Sequence, residues 1–171
     1  MTKGVQVTSS IITISGQTVE TVPGTMVEDQ VSLSLDILNR EVLLVYAIDI
    51  NVQNPDAIVG INTESLASLS STTRATIGRI SDTNVLGFAS KAIRSAGYLD
   101  GGVSFMEVSP ETPTANALDY VGIIATNDFF VQVQGSQNLG TKQADWRMWC
   151  ARAKVTADIY AALVQSEVLS A

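Results

Sequence analysis

The side chains that can do chemistry in this chain are few, and they are mostly carboxylates. Asp49, Glu107 and Asp128 are candidates for the paired acids of a glycosidase-type hydrolase, which needs only two carboxyl groups across a cleft. Asn51, Asn54 and Asp56 sit close enough in sequence to offer oxygen ligands to calcium, as does Asp100 with the carbonyls of Gly101 and Gly102. Each of these residues also lies near a strand end or turn, where Asn and Asp ordinarily bond their own backbone. Cys150 is the single cysteine, and there is no histidine. Those two counts remove the serine–histidine triad, the HExxH metalloprotease site, any Cys/His zinc site and any intrachain disulfide. Cys150 falls between Trp149 and Ala151 in an apolar segment and reads as a buried structural thiol. No P-loop and no GxGxxG is present. We therefore assign no catalytic, cofactor-binding or metal-ligating residue, and expect neither a cofactor nor an enzyme.

Two aromatic residues stand out for recognition instead. Trp146 and Trp149 have opposite parity along one extended segment, so a flat strand puts only one of them toward a core. The other is covered by a further element or exposed, where it would serve a subunit interface or a carbohydrate platform.

The elements that carry these residues are strands. Val and Ile supply 33 residues and Ser and Thr another 33, a composition suited to pleated, half-buried surfaces. Turn signals recur at short intervals, from Gly16 and Pro23-Gly24 through Asn54-Pro55-Asp56 and Asp100-Gly101-Gly102 to Pro110, Pro113, Asn127-Asp128, Gly135 and Gly140. Extended segments are expected at Val5–Ile14, Val31–Ile37, Val42–Val52, Leu66–Ile80, Val85–Ile93, Val103–Val108, Tyr120–Ala125, Phe129–Gln134 and Ala144–Val155. Val42–Val52 places Val42, Leu44, Tyr46, Ile48, Ile50 and Val52 on one face. Its other face starts apolar and ends at Asp49 and Asn51, as a central strand would. Tyr120–Ala125 and Phe129–Gln134 read as a hairpin or one bent strand. A helix follows Val155, with Thr156 as N-cap, Asp158 in the first turn, and Ile159 and Leu163 one turn apart to pack on a sheet. Residues 1–171 are expected to form a single β-sandwich domain.

Ten Lys and Arg stand against seventeen Asp and Glu, giving a net charge of −7 and a pI near 4.4. The cations are scattered, and neither end carries a basic arm. A phosphate-neutralising surface needs clustered Lys and Arg, so strong direct nucleic-acid binding is not expected. Arg147, Arg152 and Lys154 form the densest group and read as alternate exposed positions on a strand. The N-terminus has no long apolar run of a signal peptide, and no segment approaches the ~18 apolar residues of a membrane span.

The last third of the chain carries a family likeness. The stretch DYVGIIATNDFFVQVQGSQN, from Asp119 to Asn138, is followed by DWRMWCARAKVTADIYAALV, from Asp145 to Val164. A penultimate strand ending in a glycine turn, then a long last strand running into a closing helix, resembles the single-jelly-roll coat proteins of viruses. The likeness extends loosely to Val42–Val52. The family's frequent basic N-terminal arm is not matched by Met1-Thr-Lys-Gly. The resemblance implies an all-β, jelly-roll-like antiparallel β-sandwich with a short C-terminal α-helix. It also implies a capsid subunit, a structural virion protein that is made in host cytoplasm and self-assembles into an icosahedral shell. Its partners would be copies of itself and other virion proteins. The alternative is a β-sandwich binding module for carbohydrate or host-receptor attachment, as in a spike or fibre head.

Overall fold

The computed structural model describes residues 3–98, 103–110 and 119–170. Ten strands and one helix follow in order: β1 (Val5–Val7), β2 (Ile12–Val19), β3 (Val27–Ser32), β4 (Glu41–Val52), β5 (Thr63–Ser70), β6 (Val85–Arg94), β7 (Ser104–Val108), β8 (Gly122–Ile124), β9 (Asp128–Ser136), β10 (Gln143–Val155) and α1 (Ala157–Ser170). They form two five-stranded antiparallel sheets. The first runs β1-β10-β4-β8, with β2 beside β1 on the same edge of β10. The second runs β3-β9-β5-β6-β7.

The pairing is nested. β2 pairs with β10, β3 with β9, β4 with β8 and β5 with β6, as in one long hairpin folded over on itself. The lateral pairs β10·β4 and β9·β5 roll that hairpin into two packed sheets. Eight strands so connected are a jelly roll. β1 and β7 are additions at its edges.

The core lies between the sheets. Met148, Trp146 and Cys150 of β10 and Leu43, Val45, Ile48 and Ile50 of β4 meet Leu69 of β5 and Phe129, Val131 and Val133 of β9. A second apolar cluster lies outside the first sheet, where Val42, Leu44, Ala153 and Val155 are covered by Ile159, Tyr160, Leu163 and Val164 of α1. The Thr156 carbonyl accepts the first helical bond, from the Tyr160 amide at 3.0 Å, as an N-cap residue's carbonyl does.

β4 is central, but its two faces differ from the expected alternation. Trp149 lies opposite Ala47 and Cys150 opposite Val45, which leaves Tyr46 as an extra residue in a β-bulge. The bulge flips the pattern. Leu43 and Val45 point into the sandwich before it, and Ile48, Ile50 and Val52 do so after it. Val42 and Leu44 therefore belong to the helix-covered outer face, not to the face of Ile48.

Other segments also differ from expectation. Val5–Ile14 is two strands on the same edge of β10, with residues 8–11 between them. β3 begins at Val27 and ends at Ser32, while Leu33 and Leu35 still reach the core. Only the first part of Leu66–Ile80 is strand. Residues 71–84 form a strap over the outer face of the second sheet, held by hydroxyls and amides. Ser68 Oγ takes the Gly78 amide at 2.9 Å, and Glu28 takes the Arg74 amide at 2.8 Å. Buried Gln132 links the same Glu28 to Ser70 and Ser68. Finally, β8 and β9 lie in different sheets, so residues 125–127 are a corner and not a hairpin turn.

Candidate functional site

The most elaborated place in the molecule is one end of the sandwich, where four connections meet. They are the β2–β3 loop, the β4–β5 loop, the segment after β6 and the β9–β10 turn. Glu20, at the start of the first, is almost fully buried, and its two carboxylate oxygens accept the amides of Gly135 (2.6 Å) and Lys142 (2.7 Å). The Lys142 side chain, also buried, runs to the β4–β5 loop. There its ammonium donates to Asp56 Oδ1 at 2.7 Å and to the Asn54 carbonyl at 3.2 Å. Asp56 Oδ2 accepts the amides of Leu139 and Gly140, and Asn138 bonds both the Asp56 amide and the Glu64 carbonyl. Asn62 Oδ1 takes the Ser95 and Ala96 amides, and Ser95 Oγ takes that of Gly60. The hydrogen bond from Lys142 holds the Asp56 carboxyl below the usual aspartate range, opposed by partial burial.

This end is stiff underneath and apolar on top. Val22, Val59, Ile61, Tyr98 and Leu139 project from these four connections, and Leu139 is 82% exposed. A buried polar network that fixes loops bearing solvent-facing aliphatic side chains fits a contact surface rather than a reaction centre. The local turn bonds expected of Asn54 and Asp56 are not what they make here: Asp56 accepts amides from the distant β9–β10 turn, and Asn54 offers its carbonyl to Lys142. Lys142 occupies the carboxylate and carbonyl that a calcium ion would have used. Asn51 is elsewhere, facing Lys91 Nζ at 3.4 Å. Asp100, Gly101, Gly102 and Pro113 lie outside the described residues.

The two tryptophans take opposite faces of β10. Trp146 packs edge-on against Phe129, with ring centroids 5.5 Å apart and planes at 86°. It lies across Gly16 of β2, where a Cβ would come within 2.5 Å of the indole Cζ2. Its buried indole N–H finds no acceptor among the described residues. Trp149 is half-buried on the outer face beyond α1, between Thr13 and Ala47, with the Arg147 guanidinium 5.9 Å over its ring. On the same face of the sheet, an open depression of about 450 Å³ is lined by Ser15, Gly16, Asp49, Asn51, Asp145, Trp146 and Arg147.

The carboxylates proposed for hydrolysis are not assembled. Asp49 faces outward on β4 opposite Arg147, Glu107 sits on edge strand β7 with Lys91 at 3.6 Å, and Asp128 opens β9, where Gln30 donates to it. Sequence reasoning missed Asp145 beside Asp49. Its outward parity on β10, opposite that of Trp146 and Met148, was the available signal. Cys150 is fully buried, and burial pushes its thiol up to about 11. Arg147, Arg152 and Lys154 do not share a face. Arg147 points outward, whereas Arg152 turns to the other side of β10 and binds Glu41 (2.7 Å) and the Leu33 and Ser34 carbonyls.

No family model and no curated protein sequence matches this chain. Among solved structures, one of Desmodium yellow mottle tymovirus aligns with 86% of this chain and 89% of its own, at 12% identity and a TM-score of 0.35. A likeness of that strength carries no argument, and the jelly-roll assignment stands on the strand pairing. Among the described residues, no helix is long and apolar enough to cross a membrane.

Proposed function

We propose that the protein is a capsid subunit that self-assembles into a closed shell through lateral contacts between sandwiches. The observation that carries this reading is the loop end, where exposed Val22, Val59, Ile61 and Leu139 ride on connections locked by Glu20, Lys142 and Asp56. Presenting aliphatic side chains to water on a rigid plate is unfavourable for a solitary molecule and useful for one that buries them against copies of itself. The jelly roll is an architecture used by shell proteins and lectins. Edge strand β7 adds to the apolar surface with Phe105, Met106 and Val108.

The partners on this reading are identical subunits and other virion proteins, and the location is the virion. Contact with nucleic acid would be weak. The net charge is −7, and Arg74, Lys91, Arg94, Lys142 and Arg152 are each paired with an acid.

Negative-stain microscopy and light scattering on the purified chain test the reading. Large closed particles are expected, and Leu139→Asp with Val59→Asp should abolish them while circular dichroism stays unchanged. A chain that remains monomeric across concentration, salt and pH refutes it.

The depression favours one second reading, a glycan-binding module, since its carboxylates and amide suit sugar hydroxyls and the outward Trp149 lies two residues along β10 from Arg147 at its rim. A glycan-array signal lost in Trp149→Ala, from a chain that forms no particles, would select it.

A further inference from the structure

Glu167 is the buried residue of α1, 7% exposed, near the end of the chain. Its Oε1 accepts the Ala125 amide at 3.1 Å. Its Oε2 has neither a hydrogen-bond partner nor contact with solvent. A carboxyl oxygen in that position is tolerable when the group is neutral and costly when it carries charge. Beyond that one amide, the surroundings offer an anion little. Ser71, Thr83 and Asn84 of the strap, β8 and the start of β6 face it with neutral side chains. Thr126 Oγ1 at the corner is turned to the Ser71 and Asp128 carbonyls, and the Asp128 carboxylate repels a charge on Glu167. Among the described residues lining this groove there is no Lys or Arg.

The element that carries Glu167 is weakly held at that point. Val168 and Leu169, in the last turn of α1, are 67% and 76% exposed. Beyond Glu167, the tie to the strap is the contact of Ser170 Oγ with Thr83 Oγ1 at 3.0 Å. The apolar anchors Ile159, Tyr160, Leu163 and Val164 all precede Glu167 along the helix. A groove of about 400 Å³ already separates this half of α1 from the strap. Segments with so little buried apolar contact open at low cost.

We propose that the C-terminal half of α1 is a proton-held latch, docked over the β8–β9 corner while Glu167 is neutral and lifted from the groove when Glu167 ionises. The N-terminal half stays seated as the hinge base. Desolvation raises the Glu167 carboxyl above its ordinary value, outweighing the hydrogen bond from Ala125. The sign follows from that direction. The docked helix binds the proton more tightly than the lifted one, so docking is favoured at low pH. It is lost as pH rises through the glutamate range and past the raised value. Lifting would free the Ala125 amide and bare Ile123. The inference needs no assembly and is independent of the capsid reading.

Hydrogen exchange of the α1 amides from Leu163 to Ser170 and of Ala125, followed from pH 4 to 8 in the full chain, tests it. Glu167→Gln keeps the shape without the charge and serves as reference at each pH, which removes the intrinsic acceleration of exchange by base. The wild-type opening constant should climb relative to Glu167→Gln by up to about tenfold per pH unit across the titration, the slope for one proton. Parallel pH profiles for the two proteins overturn the latch. If the variant fails to fold, the carboxyl ¹³C resonance of Glu167 in the wild type decides. A midpoint above the ordinary glutamate range, with exchange rising through it, supports the proposal. A midpoint within that range overturns it.

Discussion

Lys142 Nζ lies 2.7 Å from Asp56 Oδ1 and joins the β9–β10 turn to the β4–β5 loop across the end of the sandwich. The lysine is the more deeply buried partner, with its side chain 4% exposed against 33% for the aspartate. The two halves of the pair are therefore unequal. Asp56→Ala leaves a buried ammonium without its carboxylate and should cost about 3 kcal/mol, in the range for breaking a buried pair. Lys142→Met leaves an aspartate that water can reach, and should cost less. Urea melts of both variants check the order, which reverses if the burial has been misread.

Acid should loosen the same end. Hydrogen bonding from Lys142 lowers the Asp56 carboxyl below its ordinary value of 3.8. Its contribution is complete above that value and disappears as pH falls through the lower, folded one. Exchange of the Leu139 and Gly140 amides should rise sharply in that acid window. In Asp56→Asn it should be faster already at neutral pH and show no such step.

Gly16→Ala should destabilise the protein by about 1–3 kcal/mol, as overpacking does, because the new Cβ would sit 2.5 Å from the Trp146 ring. A lowered urea midpoint with a changed Trp fluorescence maximum is the expected readout. An unchanged midpoint would mean that the indole is free to move aside.

The tryptophans should separate cleanly. Trp146→Ala empties the core beside Phe129 and should cost about 3–5 kcal/mol. Trp149→Ala removes half-buried area and a cation–π contact worth about 0.5–1 kcal/mol, so its melt should shift far less. Its effect should appear in association or ligand assays.

Cys150 should resist thiol reagents at pH 8 in the folded protein and react once it is unfolded in urea. Burial raises its thiol to about 11, which leaves little thiolate. Rapid modification of the native chain would contradict the packing of β10.

Much of this architecture is legible in the residues. The parity of Trp146, Met148 and Cys150 against Arg147 and Trp149 marks β10, and the apolar start and wet end of Val42–Val52 mark a central strand. The flip at Tyr46 was not legible, because a bulge depends on the pairing partner and not on β4 itself. Strand ends blurred for a related reason. In Leu66–Ile80 the same Ser and Thr residues serve strand and strap alike, and only the partners Glu28 and Gln132 tell them apart. Of the loop end only Asn54 and Asp56 were singled out, since it unites Glu20, Asp56 and Lys142 from three distant stretches. Their spacing in sequence carries no trace of their meeting.

The nested strand pairing also orders how the molecule can come into being. β5 and β6 are neighbours in the chain and can close early, whereas β2 and β4 flank β10, which follows every other strand in the chain. Until residues 143–155 leave the ribosome, β4 lacks the partner along its longest edge. A nascent or truncated chain therefore cannot present the finished plate of loops, whose Lys142 arrives only with that final strand.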